Sequence, residues 1–305
     1  MSYILTANTP PPVLIHLDSG SDSVQQLSSL TTNFTYTLKE PILVPDHMNL
    51  LLSLHTATIP YSFYNVGNHN NELKITISGG GVNTLSLDRG NYSAFGLASV
   101  VKDYIEALSG TITTFDMVYS RETLKYKFFF TGTATNVVFT GDSTCLSLLG
   151  INDSGATITG KVLANAFLSD KAIDMNDTIH GLYIRQNLAT KSMSDTSNGT
   201  FTNILARIPI TTNAGGIIFF NPSDSGHETM VSVPLIQTIG IRLTDDKHRS
   251  IDLNGLHFQL SLKIAYIHKE VLRDIPTRRA VLEEKPSVKQ KGPLKIEKKK
   301  KTKKK

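Results

Sequence analysis

Short segments of alternating apolar and polar residues, broken by prolines and polar turns, constrain this chain more than any other feature. The clearest lies near the C-terminus. Phe258, Leu260, Leu262, Ile264 and Tyr266 alternate with His257, Gln259, Ser261, Lys263 and Ala265, the pattern of a strand with one buried face. Ile239, Ile241 and Leu243 alternate just before it, with the polar turn Thr244–Ser250 between. The two runs are expected to form a β-hairpin. Further strand candidates are Val13–Asp18, Phe34–Leu38, Met48–Ile59, Ile179–Arg185, Ile204–Ile210, Gly216–Phe220, Glu228–Val233, Gln237–Leu243 and Leu256–Ile267. Pro45, Pro60, Pro209, Pro222 and Pro234 punctuate them, and proline cannot donate to a ladder. Many short antiparallel strands joined by polar turns point to a sandwich or jelly roll. The expected fold is mainly β, a single antiparallel jelly roll.

One stretch breaks this rhythm. Leu73, Ile75 and Ile77 alternate, Gly79–Gly81 follow, and Leu85 and Leu87 complete a hairpin. Leu97, Val100, Val101, Tyr104 and Leu108 then form the stripe of an amphipathic helix. Asn91 or Ser93 can cap its start, and Gly110 suits its end. A second hairpin joins Phe115, Met117 and Tyr119 to Leu124, Tyr126, Phe128 and Phe130. Val137–Phe139 is a short strand, and Asp142–Gly150 reads as a short helix. The expected organisation is therefore an extended N-terminal arm over 1–12, a discontinuous jelly roll over 13–68 and 160–275, an α+β insertion over 69–159, and a disordered basic tail over 276–305.

Enzyme chemistry is poorly represented. Gly141-Asp142-Ser143-Thr144 resembles an esterase block, but Asp142 and Ser143 are better used as caps. Cys145 sits among Leu146, Leu148 and Leu149, the setting of an inert buried thiol. One cysteine in the chain excludes a disulfide framework and a multi-cysteine zinc site. The nine histidines are scattered, without paired metal-ligand spacing. Tyr126, Phe128, Phe129 and Phe130 offer a base-stacking platform only if they are not needed as core. No catalytic, cofactor or metal site is assigned. No run is long enough to span a membrane, and the first residues carry no signal-peptide pattern.

Four stretches taken in order carry a family resemblance: "HTATIPYSFYNVGNHNNEL" (His55–Leu73), "GNYSAFGLASVVKDYIEAL" (Gly90–Leu108), "CLSLLGI" (Cys145–Ile151) and "SIDLNGLHFQLSLKI" (Ser250–Ile264). Together they resemble the penton, or vertex capsid, proteins of virophages and polinton-like viruses. The resemblance implies a virion protein without enzymatic activity that forms homopentamers at icosahedral vertices. It also implies the major capsid protein as a partner and an outward-facing inserted domain. The host receptor is not specified. Another minor capsid or cement protein, or a jelly-roll carbohydrate- or receptor-binding module, are the alternative readings.

The tail is argued from charge alone. Lys285, Lys289, Lys291, Lys295, Lys298, Lys299, Lys300, Lys301, Lys303, Lys304 and Lys305 accompany a single acidic residue, Glu297. The segment thus carries +10 in a chain whose formal total is +5, leaving −5 for residues 1–284. Such a segment cannot build a core. These lysines are expected to contact packaged DNA through its phosphates, without sequence preference.

Overall fold

The computed structural model describes residues 9–108, 110–176, 179–189, 193–195, 200–222 and 227–269. The chain opens with Val13–Asp18 (β1), Val24–Gln26 (β2), Asn33–Leu43 (β3) and Met48–Pro60 (β4). A middle group follows: Glu72–Ile77 (β5), Asn83–Ser86 (β6), the helix Ala94–Leu108 (α1), Ile112–Ser120 (β7), Lys125–Gly132 (β8), Val137–Thr140 (β9), Gly155–Ile158 (β10) and Phe167–Leu168 (β11). The last group is Gly181–Gln186 (β12), Met193–Asp195 (β13), Thr200–Thr202 (β14), Ile204–Pro209 (β15), Ile217–Phe220 (β16), Thr229–Val231 (β17), Leu235–Thr244 (β18) and Gln259–His268 (β19).

The first and last groups build a sandwich. One sheet runs β1-β19-β4-β16, with β17 also paired to β4; the other runs β15-β12-β18-β3-β2. The chain keeps changing sheets: β3 to β4, β15 to β16, β17 to β18 and β18 to β19 all cross the core. With β16 and β17 taken as one interrupted strand along β4, the principal strands order as first-eighth-third-sixth and fifth-fourth-seventh-second. That is the double Greek key of a jelly roll. The inner faces meet in an aliphatic core that includes Leu50, Leu52, Ile59, Ile184, Ile208, Ile239, Ile241, Leu260, Leu262 and Ile264. Burying each such side chain contributes roughly 1.5–3 kcal/mol.

The expected hairpin of the last two strands is not formed. β18 and β19 lie in opposite sheets, and β19 pairs instead with β1, from Val13↔Ile264 to Asp18↔Gln259. Alternation fixes which face of a strand is buried; it does not fix which strand lies alongside. The turn itself is well built. The Asp245 carboxylate accepts the backbone N–H groups of Lys247 and Arg249 at 2.9 and 2.8 Å and pairs with the Arg249 guanidinium at 2.5 Å. Ile251 and Leu253 then enter the core as the chain crosses it.

The middle group encloses a second core. Sheets β10-β9-β5-β6 and β11-β8-β7 pack with α1 around Phe115, Tyr126, Phe128, Phe130 and Phe139. The Ser93 hydroxyl caps α1 by accepting the Gly96 N–H at 3.1 Å. The buried stripe of α1 is Leu97, Ala98, Val101 and Ile105. It is rotated from the expected one: Val100 is 36% exposed, and Tyr104 stands at the rim, its hydroxyl donating to the Thr84 carbonyl at 2.8 Å. Polar anchors set the rotation. Lys102 pairs with Asp116 at 3.0 Å, and Glu106 accepts the Phe115 N–H at 2.8 Å, so this flank must face β7.

The helix expected over Asp142–Gly150 is a succession of turns. Leu148, Leu149 and Gly150 donate to the carbonyls three residues earlier. Gly150, at φ +68°, lets the Ile151 N–H return to Leu146, the closure of a Schellman motif. The backbone here is committed elsewhere: the Thr144 and Cys145 N–H groups donate to the Glu72 carbonyl at the start of β5. At the β5–β6 turn Ser78 and Gly79 have φ of 50° and 72°, a type I′ geometry that the run of small residues permits.

Residues up to Ile267 form one compact unit holding both cores. The second core extends beyond residues 69–159: Val66 belongs to it, and Phe167, Ile173 and Met175 pack against it. The junction is held by Asn65, whose side chain accepts the Tyr92 N–H and donates to the Tyr92 carbonyl, at 2.9 and 2.8 Å. Arg89 pairs with Asp252 at 2.5 Å across it.

Candidate assembly surface

The sequence offers no constellation of reactive groups, and the structure disperses the residues that most resembled one. The Ser143 hydroxyl accepts the Lys74 N–H at 2.9 Å and donates to the Thr140 carbonyl at 2.8 Å. It ties the turn to β5 rather than capping a helix. Asp142 points away to Lys74 at 2.7 Å, whose ammonium holds the carboxyl below its ordinary range. Cys145 is buried in the second core. Tyr126, Phe128 and Phe130 are fully buried, so three of the four candidate stacking residues are core. The Tyr126 hydroxyl donates to the Ala94 carbonyl at 2.7 Å, and burial pushes its pKa up. His16 hydrogen-bonds Ser261 through Nδ1 at 2.7 Å. Among the described residues no cluster of three or more His, Cys, Asp or Glu is placed to hold a metal, and no helix is long and apolar enough to cross a membrane. The eleven tail lysines lie outside the described residues.

What the structure does expose is the margin of the β1-β19-β4-β16 sheet. Ile218 points into the core, so its neighbours Ile217 and Phe219 point outward; they are 65% and 63% exposed. Farther along the same side of β4, Met230 of β17 is 47% exposed opposite Leu51. Ile217 faces Pro60 in the register. Proline has no N–H, so this must be a non-hydrogen-bonded pair, and alternation puts Phe219↔Thr58 in the same class. The main-chain N–H and C=O groups of Ile217 and Phe219 therefore point off the sheet.

Behind this margin the nearest outward side chains, Thr56, Thr58 and Ser261, are uncharged, while Lys263 and Asp18 lie farther along the same face. Thr56 donates to Ser261 at 2.9 Å, and a groove of about 370 Å³ runs between Thr58, Pro60, Ile217, Leu256 and Gln259. Asp18 closes its far side. The Gly20 N–H and the Gln259 amide both donate to its carboxylate, each at 2.8 Å. They hold it below its ordinary pKa, with His257 adding a smaller attraction. An apolar margin backed by uncharged side chains is suited to contact another protein surface, where charge is depleted at the centre. Nothing in the sequence marks these residues. Ile217 and Phe219 read as ordinary strand residues because alternation does not say that a strand will end a sheet.

No protein-family model matches the chain, and no curated protein matches it. Its structure is similar to the crystal structure of the selenomethionine-labelled penton protein of mavirus, with a TM-score of 0.51 at 12% sequence identity, covering 84% of this chain and 100% of that one. At that identity the likeness is one of fold. The chain is an antiparallel jelly-roll protein whose fold is like that of the mavirus penton protein.

Proposed function

We propose that this chain is a structural protein of a virus particle, a penton subunit that assembles as a homopentamer at icosahedral vertices beside the major capsid protein. The observation that carries the reading is the jelly roll with a second, helix-containing core between its third and fourth principal strands, an architecture similar to a penton protein over 84% of the chain. Among the described residues no nucleophile, base and orienting group are assembled, which favours a structural role over an enzymatic one, and Ser143 and Cys145 have structural uses instead. The middle group is proposed to be an inserted unit that faces away from the particle. Phe63 and Tyr64, where the chain leaves the jelly roll, and Ile179, where it returns, line one cleft, as an insertion with neighbouring ends requires.

The basic segment Lys285–Lys305 is proposed to face inward and neutralise genome phosphates. If about half of its eleven lysines engage duplex DNA together, log K falls with log salt at a slope of roughly −4 to −5. Removing residues 285–305 abolishes binding, since the remainder carries −5. Binding that survives the truncation rejects the DNA contact. Imaging particles assembled with the major capsid protein tests the vertex assignment: density for this chain at five-fold positions supports it, and density only at other positions refutes it.

A further inference from the structure

We propose that the open margin formed by β16 and β17 receives the N-terminal segment Met1–Asn8 of a neighbouring copy of this chain as an added strand. The inference rests on the ring assembly proposed above and names the contact that would close it. An exposed apolar edge strand is a template for pairing, and soluble proteins blunt such edges with lysine, proline, bulges or covering elements. Here Ile217 and Phe219 are left outward, with their main-chain donors and acceptors pointing off the sheet. No described residue bonds those groups, and no lysine or arginine lies in β16 or β17.

The chain itself supplies a matching occupant. Tyr3-Ile4-Leu5-Thr6-Ala7 is rich in residues that favour strands and carries no charged side chain. Eight residues extended reach about 26 Å at the rise of a strand, far more than the four residues of β16 require. Pro10-Pro11-Pro12 separates this segment from β1, and a proline triplet is an extended, semi-rigid spacer that carries what precedes it away from the sheet. The sheet order is the remaining observation. β1, to which the segment is attached, and β16 occupy opposite margins of one sheet. A contact from the β1 side of one copy to the β16 side of the next is heterologous, and repeated by rotation it closes a ring. Main-chain pairing of this kind supplies affinity, while Tyr3 and Leu5, which alternate onto one face, supply side chains to meet Ile217 and Phe219.

Cys145 is buried, so introduced surface thiols can be read against a quiet background. Full-length Leu5→Cys and full-length Phe219→Cys are mixed and oxidised. The expected product is a disulfide-linked pair containing one chain of each variant, formed in the assembled ring and lost when the mixture is diluted below its assembly concentration before oxidation. Independently, Phe219→Lys and deletion of residues 2–8 should each raise the subunit concentration needed for half-assembly by about tenfold or more, as loss of an interface anchor does. Circular dichroism and melting temperature should stay close to those of the parent. A ring that persists through both changes, with no mixed disulfide, overturns the strand exchange and leaves the ring intact. A Leu5→Cys/Phe219→Cys double variant that links within one chain shows the segment on its own edge, which also overturns it. A parent chain that never forms a ring refutes the assembly reading itself.

Discussion

The two cores of this protein are filled differently. The jelly-roll core is aliphatic, with Phe34, Phe63 and Phe258 as its only buried rings among the described residues. The second core is organised on five, Phe115, Tyr126, Phe128, Phe130 and Phe139, with Phe128 and Phe139 packed edge to face at 5.6 Å. Two sheets facing each other interdigitate branched side chains from both inner faces over a thin layer. A helix laid over small sheets leaves wider gaps, which rings fill. The first core therefore spreads its stabilisation over many contacts, whereas the second concentrates it in a few large ones.

Truncating one side chain in each core tests that contrast most strongly. Phe128→Ala should destabilise by about 3–5 kcal/mol and Leu262→Ala by about 2–5 kcal/mol. Amide hydrogen exchange separates them. Phe128→Ala should strip protection from β5–β10 and α1 first, while β18 and β19 remain protected; Leu262→Ala should do the reverse. If either substitution melts both regions together, the cores are one cooperative unit.

A smaller pair of changes sharpens the account of the helix. Val101→Ser should destabilise by about 1–3 kcal/mol, because it buries a hydroxyl in an apolar site. Val100→Ser, one position away and partly exposed, should change stability by no more than about 0.5 kcal/mol. Equal effects would mean that the helix presents the stripe read from sequence alone.

That pair also marks where the sequence stops being informative. The strands β1, β4, β12, β15, β16 and β19 were legible because proline punctuation and alternation are local signals. Their partners were not. The 239–266 stretch looked like a hairpin, yet β18 and β19 cross the core, since the competition among ladders is decided by the whole sandwich. The helix was legible, but its rotation depends on Lys102 meeting Asp116 and Glu106 meeting the Phe115 N–H, neither visible in the pattern of apolar residues. The 142–150 stretch has helical spacing, but pairing of its backbone with Glu72 draws it into turns. The exposed margin of β16 and β17 was least legible of all. Being an edge is a property of the sheet, and Phe219 carries no local mark of it.

The smallest expected effect lies on the jelly-roll surface. Asp18 has its carboxyl pKa held below the ordinary aspartate value of 3.8 by the Gly20 N–H and the Gln259 amide. The unfolded chain thus binds this proton more readily than the folded one. Its modest stabilising contribution is complete above pH 3.8 and disappears as pH falls through the lower folded value. Asp18→Asn should melt slightly earlier than the parent at pH 6 and converge with it in strong acid. A difference that grows toward low pH would contradict the assignment.

The mass of the full-length chain in solution, measured by native mass spectrometry or sedimentation across a range of protein concentrations, tests the central claim most directly. A species of five times the 33.5 kDa subunit is expected, formed alone at high concentration or in the presence of the major capsid protein. A stable trimer, or a chain that stays monomeric under both conditions, would contradict it.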